Sequence, residues 1–332
     1  MAVAAKGSKS RLKPRSKSLD IKSHLAQTWR KCIEHRYLFL LLLPVIAYYI
    51  IFNYAPIFNP QTGGILMAFK KHSLTKPFSE WPWVGLKYFE MMWRKPDFWV
   101  AMRNTVTISF IRLVFEFPMP ILLALLLNEV RHNSTKRIYQ TVFTFPNFLS
   151  WVLVVGLMRD MLQIDGVVNG VIKSLGGTPY NFLANQSAFS NYAMLVLSNL
   201  FKSVGWGSII YLAAIASIDP TLYEAAAVDG ANRWQRIWHI TWPGMKSTAV
   251  VLLILQVGNI LNSSFDQIFN LINGVNRGVI ETIDVYIYRY AFWQSMNQSF
   301  AAASGLFKAV INFALLLTAN QIVGRLGEDR LF

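Results

Sequence analysis

Residues 221–243 read TLYEAAAVDGANRWQRIWHITWP. The first part contains good helix formers, with Glu224 near its start, and it is interrupted at Gly230. Glycine adopts turns that a residue with a side chain makes only at an energetic cost, so the first helix is predicted to end there. A second helix follows. Pro243 is predicted either to end this second helix or to be the first residue of the next one. This stretch therefore predicts a helix–turn–helix elbow whose small residues and acidic Glu224 suit a groove on another protein.

The composition places this elbow in a membrane protein. Hydrophobic residues make up 54% of the 332 residues and charged residues only 15%, against roughly 25% in a soluble domain. That apolar content argues against intrinsic disorder. The net charge is +15, but ten of the 32 basic residues lie in the first 36 positions, so few remain for nucleic-acid binding. The single cysteine, Cys32, excludes an intramolecular disulfide.

Six stretches are long and apolar enough to cross a membrane, which takes about 20 mostly apolar residues. They are Tyr37–Ala55, Val106–Asn128, Val142–Met161, Tyr192–Ser217, Ala249–Asn270 and Phe300–Gly324. The fourth and fifth carry polar residues at membrane depth. We therefore expect an all-α integral membrane protein with six transmembrane helices.

The basic N-terminal tail sets the predicted orientation. Basic residues accumulate on the cytoplasmic side of membrane proteins, and a cytoplasmic tail gives 18 Lys and Arg inside against ten outside. Both termini are therefore predicted to be cytoplasmic. Asp20 is a candidate N-cap for a helix that runs to Arg36 and into the first span. This helix is expected to anchor on anionic lipid, with contact to a specific partner as the alternative. The predicted domains are a basic tail with this juxtamembrane helix at 1–36, a transmembrane domain at 37–324 and a cytoplasmic tail at 325–332.

The sequence carries no motif for catalysis. A phosphate-binding loop, a His-Glu-x-x-His helix, a Gly-x-Ser-x-Gly turn and a paired-aspartate metal motif are all missing from it. None of the five histidines has ligand spacing with another. We therefore expect no catalytic residue, no metal site and no means of binding ATP in this chain.

The elbow resembles a sequence pattern of the permease subunits of binding-protein-dependent ABC importers. In that pattern Glu-Ala-Ala is followed by three residues and Gly, and then by nine residues and Ile-x-Leu-Pro. Here Trp242 stands where Leu is usual. In the family this loop is the coupling helix, which sits in a cleft of the cytoplasmic ATPase and pairs its glutamate with a basic residue there. The resemblance therefore implies ATPase coupling by Glu224, Ala225, Ala226, Asp229, Gly230, Ile240 and Pro243.

Other stretches narrow the resemblance to carbohydrate permeases of the maltose-permease class, and to their LplB-like polysaccharide and oligosaccharide branch. They include MAFKK at 67–71, WVGLKYF at 83–89 and DVYIYR at 284–289. The resemblance implies the type I ABC importer permease fold and ATP-driven import of an oligosaccharide or polysaccharide across the bacterial cytoplasmic (inner) membrane. The implied partners are a second homologous permease subunit, a cytoplasmic ABC ATPase dimer that binds ATP and Mg²⁺, and an extracytoplasmic sugar-binding protein. No cofactor is implied in this chain.

Polar residues in two predicted spans mark a candidate substrate path. Charged and amide side chains are costly in hydrocarbon, so they are expected to face the bundle interior. In the fifth span, residues 256, 259, 263 and 266 advance by three or four, which would place them on one helical stripe. Residues 199, 203 and 206 form a similar stripe in the fourth span, where the family has sugar-binding positions. The predicted path residues are Asn199, Ser203, Trp206, Asn259, Asn262 and Ser263.

Other interpretations of these polar groups remain open. They are also what hydrogen bonds between helices would need. Arg112 and Glu116 lie four residues apart and are expected to neutralise each other. Lys202 and Lys308 are candidates for attracting an acidic sugar, for reaching the membrane surface, or for pairing with Asp266.

Two further functions compete with the importer. A secondary carrier or channel without an ATPase would also explain buried polar stripes. A membrane enzyme acting on lipid-linked sugars is a third hypothesis, which the missing metal and nucleophile motifs disfavour.

Overall fold

The computed structural model describes residues 36–58, 63–73, 75–262 and 264–325. The regular structure in these ranges is helical, with one isolated β-bridge between Lys70 and Trp83. The chain divides into two compact units, Met1–Gly64 and Ile65–Phe332. The predicted helix up to Arg36, most of the basic tail and residues 326–332 lie outside the described residues.

The first unit contributes one apolar helical stretch. It consists of α1 (Arg36–Tyr49), a π-helical turn (Ile50–Tyr54) and α2 (Ala55–Phe58). Pro44 lies inside α1. The segment Leu40–Phe58 is long and apolar enough to cross a membrane, in agreement with the first predicted span.

The second unit is built from fourteen described helices and several tighter or wider turns. In chain order the helices are α3 (Lys87–Arg94), α4 (Pro96–Glu116), α5 (Pro118–Asn128), α6 (Asn133–Thr144), α7 (Trp151–Leu162), α8 (Val167–Ser174), α9 (Ala188–Ala216), α10 (Pro220–Val228), α11 (Arg233–Arg236), α12 (Trp242–Gly258), α13 (Phe265–Leu271), α14 (Arg277–Ile280), α15 (Ile283–Arg289) and α16 (Gln298–Arg325). The 3₁₀ turns are Gly64–Phe69, Phe78–Glu80 and Phe145–Phe148, and the π-helical turns are Ile237–Thr241 and Tyr290–Gln294.

The described residues contain five helical segments long and apolar enough to span a membrane. They are Leu40–Phe58, Pro96–Asn128, Ala188–Ala216, Arg233–Gly258 and Gln298–Arg325. A bent pair, Asn133–Phe148 with Trp151–Ser174, makes a sixth if it crosses as one span. Five of the predicted spans thus have a counterpart, and the third and fifth differ in form.

The third predicted span, Val142–Met161, is wrong as a single straight helix. The chain turns by 98° between Phe148 and Trp151. Pro146 lies in the 3₁₀ turn before the bend, and Ser150 caps α7 by accepting a hydrogen bond from the Leu153 amide. The bend leaves backbone carbonyls without helical partners, and a distant side chain satisfies two of them, as described below.

The fifth predicted span, Ala249–Asn270, is interrupted. α12 ends at Gly258, residues 259–262 and 264 are not helical, and α13 begins at Phe265. The predicted stripe through 256, 259, 263 and 266 therefore does not lie on one helix. Gly258 packs tightly against α16, since a Cβ there would approach Leu316 Cδ1 to 2.4 Å. Asn and Ser side chains compete for the backbone and favour such a break.

Three apolar clusters hold the second unit together. One of them joins α5, α9 and α12 through Ile121, Tyr211 and Met245, all buried. Because α9 and α12 flank residues 217–241, this cluster fixes the two ends of the elbow predicted from sequence.

Candidate functional site

The elbow, defined here as residues 219–243, begins with a capped helix. The side chain of Asp219 accepts a hydrogen bond from the Thr221 amide at 2.9 Å, and Pro220 occupies the first turn of α10. An acidic N-cap and a proline at the first helical position both favour a helix start. The same hydrogen bond lowers the pKa of Asp219 below its usual value. α10 therefore starts at Pro220.

The first helix ends at Gly230 through a Schellman motif. Gly230 has φ +77°, a left-handed conformation that favours glycine. Its amide donates to the Ala227 carbonyl at 3.2 Å, and the Ala231 amide donates to the Ala226 carbonyl at 2.8 Å. These two bonds satisfy carbonyls that the helix end would leave free. The turn predicted at Gly230 is confirmed.

The second arm of the elbow is capped but does not stop at Pro243. Asn232 and Gln235 form a reciprocal capping box at the start of α11. The backbone then widens into the π-helical turn Ile237–Thr241, in which the Trp242 amide donates to the Ile237 carbonyl, and Pro243 occupies the first turn of α12. Of the two predicted alternatives, Pro243 opens the next helix. Proline is common in the first turn of an α-helix.

Side-chain bonds tie the two arms to each other and to α5. The hydroxyls of Tyr223 and Thr241 lie 3.0 Å apart, which joins α10 to the π-helical turn. Arg233 Nε lies 3.8 Å from a carboxylate oxygen of Glu129, just after α5. An open pocket of about 360 Å³ lies between the arms. The elbow is therefore a braced unit.

The predicted coupling residues fall into two groups. Ala226, Asp229, Gly230 and Ile240 all line the pocket between the arms. Glu224 and Ala225 instead lie exposed on α10, and Pro243 is exposed at the start of α12. Among the described residues, the side-chain carboxylate of Glu224 has no hydrogen-bond or ion-pair partner.

Large apolar side chains are also exposed on the elbow. They are Leu222, Val228, Trp234 and Trp238, of which Val228 is 89% exposed. A short helix that presents an unpaired carboxylate among apolar side chains has the composition of a protein contact surface.

A second candidate region is a buried polar network between α4, α9 and α13. Arg112 Nε lies 3.6 Å from Glu116 Oε1, and both side chains are 9% exposed, which confirms the predicted pair. Arg112 also donates to Ser264 Oγ at 3.0 Å and to the side-chain carbonyl of Gln267. Gln267 in turn donates to Ser198 Oγ at 2.7 Å.

The network includes one predicted path residue. Asn199 donates from Nδ2 to Glu116 Oε2 at 2.6 Å. Ser203 donates to the carbonyl of Asn199 in its own helix, and Trp206 is 51% exposed with its ring edge against Phe148. The three residues therefore share one stretch of α9, where Asn199 is held by a charged partner and Trp206 is open.

The predicted path residues of the fifth span lie in its break. Asn259 donates to the Leu255 carbonyl at 3.1 Å, and Asn262 donates to Asn259 Oδ1 at 3.0 Å. Asn312 of α16 donates to Asn262 Oδ1 at 3.3 Å. Ser263 lies outside the described residues. No recorded hydrogen bond joins Asn259 or Asn262 to the α9 group within the described ranges.

Two lysines have partners that the sequence did not indicate. Lys202 donates to the carbonyls of Asn147 and Leu149 at 2.6 and 2.5 Å, the first just before the bend in the third span and the second within it. Lys308 pairs with Asp284, so the pairing with Asp266 is wrong. Asp284 was not recognised as a partner because it lies 24 residues away on another helix.

The sequence of the chain matches the model of a known family. The model of the family described as "Binding-protein-dependent transport system inner membrane component" matches residues 116–327. The chain belongs to this family. It is an integral membrane permease, and the matched region contains the whole elbow, whose Glu-Ala-Ala motif and coupling helix are typical of the family.

Two curated relatives cover nearly the whole permease. Protein LplB of Bacillus subtilis (strain 168) is 40% identical over 307 residues, which cover 92% of this chain and 94% of LplB. The permease YteP of the same organism, named for polygalacturonan and rhamnogalacturonan transport, is 40% identical over 303 residues, covering 91% and 92%.

A solved structure shares the fold. It is a bacterial alginate ABC transporter in complex with an alginate pentasaccharide-bound periplasmic protein, and one of its chains matches with a TM-score of 0.80 and 36% identity. The match covers 91% of this permease and 99% of that chain. The all-α ABC importer permease fold expected from the sequence is therefore confirmed.

Proposed function

We propose that this permease is one half of the transmembrane pathway of an ATP-driven importer that takes up an oligosaccharide or polysaccharide. The observation that carries this proposal is the elbow: a braced unit that presents an exposed, unpaired Glu224 beside apolar side chains. Such a surface needs a partner with a basic residue and an apolar cleft. The chain has no ATP-binding motif of its own, so this partner is a separate ABC ATPase dimer that binds ATP and Mg²⁺.

Coupling follows from the bracing of the elbow. Closure of the ATPase pair on ATP would pull Glu224 and its helix. Because the Schellman turn and the Tyr223–Thr241 bond join the two arms, the elbow would move as a rigid body, and the Arg233–Glu129 pair would link it to the end of α5. α9 and α12 leave its two ends, so the motion would reach the pathway through them.

The membrane topology belongs to the same proposal. An ATPase lies in the cytoplasm, so the elbow must face it, and an even number of spans then returns both termini to that side. The positive N-terminal tail supports this orientation. The membrane is the bacterial cytoplasmic (inner) membrane.

Two more partners complete the importer. One elbow engages one ATPase of a pair, so a second homologous permease is required to engage the other. Outside, a sugar-binding protein delivers the substrate, which is supported by the periplasmic protein in the similar alginate transporter complex. The names of the relatives support a carbohydrate, and amides at Asn199, Asn259 and Asn262 with the open ring of Trp206 suit hydroxyls and a pyranose face.

The test measures uptake by the assembled transporter in proteoliposomes. Radiolabelled alginate pentasaccharide and tetragalacturonate, each delivered by the cognate binding protein, serve as probes with ATP inside. We expect Glu224→Lys and Gly230→Trp to abolish uptake without lowering the amount of permease in the membrane. Glu90→Lys, which changes another exposed acidic residue on a short helix, is the matched control and should retain uptake.

Opposite results would overturn the proposal. Normal uptake by both elbow variants would remove the coupling role. Uptake that does not depend on internal ATP but is abolished by an uncoupler would identify a secondary carrier.

A further inference from the structure

A cluster of five aromatic side chains lies just past the break in the fifth span. We propose that this cluster, Phe265, Phe269, Tyr288, Phe292 and Trp293, is a stacking platform for sugar rings at the outer mouth of the pathway. The inference rests on the proposed carbohydrate function and adds a binding site outside the predicted path residues.

The rings form one connected group centred on Tyr288. The centroid of Tyr288 lies 5.0–5.4 Å from those of the other four rings. Phe265 and Phe269 stack on each other along α13 at 5.1 Å, and Phe269 also contacts Trp293 at 5.3 Å. Rings at such separations support one another, which reduces their freedom before any ligand binds.

The platform is anchored on one side and open on the other. Phe265 and Phe269 pack against the buried cluster that includes Ile268 and Val285. Phe292 and Trp293 are 54% and 59% exposed. The outer rings therefore offer aromatic surface on a rigid base, which is what a flat apolar ligand face requires.

A polar residue that neighbours Trp293 in sequence is held in place by an ion pair. Glu281, which is buried, binds Arg289 through two hydrogen bonds, with Nε–Oε1 at 2.7 Å and Nη2–Oε2 at 3.0 Å. Arg289 then donates to the side-chain carbonyl of Gln294, the residue after Trp293. In the described part of the chain, no acceptor is recorded for the NH₂ group of Gln294. Gln294 is thus an exposed amide, held by Arg289, that follows the open indole of Trp293 directly in the chain.

This combination is specific to carbohydrate chemistry. A pyranose has apolar C–H faces that pack on aromatic rings, and its hydroxyl and carboxylate oxygens accept hydrogen bonds from amides. A lipid chain would use the rings but would offer no acceptor to the amide. The ordering of Gln294 by an Arg–Glu pair therefore favours a sugar over an acyl chain.

The backbone that carries the exposed rings of the platform has an uncommon conformation. Phe292, Trp293 and Gln294 belong to the π-helical turn Tyr290–Gln294, and Met296, two residues after it, has φ +45°. π-helical turns and left-handed non-glycine residues are uncommon and concentrate at functional sites. They are maintained here by bonds that Ser295 and Asn297 donate to the Tyr290 carbonyl.

The platform is continuous with the predicted path. Asn262 precedes Phe265 by three residues, and Ser264 between them is bound by Arg112 of the buried network. In the proposed topology the fifth span begins at the cytoplasmic elbow, so α13 lies towards the outside. A sugar leaving the binding protein would meet the rings before the amides of Asn262 and Asn259.

The experiment uses the whole transporter in proteoliposomes with the two probes named above. It measures sugar imported per ATP hydrolysed, together with ATP hydrolysis stimulated by the loaded binding protein. Trp293→Leu keeps apolar bulk without a ring, Trp293→Phe keeps a ring, and Gln294→Leu removes the amide. Phe110→Ala, at a Phe of α4 that is 61% exposed, is the matched control.

We expect Trp293→Leu and Gln294→Leu each to lower sugar per ATP about fivefold, the scale of one aromatic or hydrogen-bonded contact, while stimulated hydrolysis stays within about twofold. Trp293→Phe and Phe110→Ala should keep the wild-type ratio. The platform would be overturned if Trp293→Leu imported as much sugar per ATP as the wild type. It would also be overturned if Trp293→Leu and Trp293→Phe both lost uptake and stimulated hydrolysis to the same extent. If the wild type took up neither of the two probes in an ATP-driven manner, the result would instead count against the proposed function.

Discussion

The turn of the elbow and the break in the fifth span are both short non-helical interruptions, but different parts of the chain hold them. In the elbow, Asp219, Gly230 and the Asn232–Gln235 box satisfy the helix ends with groups at most five residues away. In the break, Ser109 donates to the Ile260 carbonyl and Arg112 binds Ser264, across some 150 residues. The turn of the elbow is therefore stabilised by local hydrogen bonds, and the break by tertiary ones.

The difference explains how each region serves transport. A locally closed elbow can move against its surroundings without exposing backbone groups, as a coupling part must. Non-helical backbone at membrane depth is tolerated only when protein or a wet cavity satisfies it, so the break depends on α4 and α9 staying in place. Substitutions in the break should therefore affect folding, and those in the elbow should affect mainly coupling.

The largest effect is expected for Arg112→Met. It leaves Glu116 buried without a cation and removes the partner of Ser264 and Gln267. Breaking one side of a buried pair typically costs about 3–5 kcal/mol. The melting temperature of the purified permease in detergent should fall strongly, and the yield with it.

A second substitution sharpens this prediction. Combining Arg112→Met with Glu116→Gln removes the uncompensated charge, while the Gln carbonyl still accepts from Asn199. The double variant should recover most of the lost stability. If the single variant melts like the wild type, the break is not held by this network.

The next effect concerns the bend of the third span. Lys202→Met removes the donor to the Asn147 and Leu149 carbonyls, which are part-buried, so the loss should not exceed the cost of a fully buried unpaired carbonyl, about 1–3 kcal/mol. Thermal unfolding in detergent should show a smaller loss than Arg112→Met. Lys202→Arg should retain most of the stability, and an equal loss in both lysine variants would argue against the carbonyl contacts.

The same contrast separates what the sequence could reveal from what it could not. The elbow was predictable because Gly230 and Pro243 act on their immediate neighbours, and so was the pairing of Arg112 with Glu116 one helical turn apart. The break was missed, since Asn259, Asn262 and their neighbours keep a helical spacing that composition alone cannot distinguish from a continuous polar stripe. Its partners lie on other helices. The Asn-Ser-Ser run after Gly258 was the available signal.

A smaller effect is expected for Gly230→Ala. No atom lies within 4 Å of the position of a Cβ there, so the cost arises only from the left-handed backbone, about 1 kcal/mol. Gly230→Asn should cost less, because Asn tolerates this conformation. Melting temperatures of the two variants measure the difference, and a large loss in Gly230→Asn would show that the elbow is not locally determined.

The smallest effect should come from the charge of Asp219. Its pKa is lowered because its carboxylate accepts the Thr221 amide, so the cap stabilises α10 above the usual pKa of an aspartate and is lost as the pH falls through the lowered value. Hydrogen exchange of α10, corrected for the intrinsic rate, should therefore show protection that declines only in acid. Asp219→Asn keeps a neutral cap and should show no such decline. A wild-type decline centred above the usual aspartate range would mean that another group titrates, and the elbow would then depend on residues outside itself.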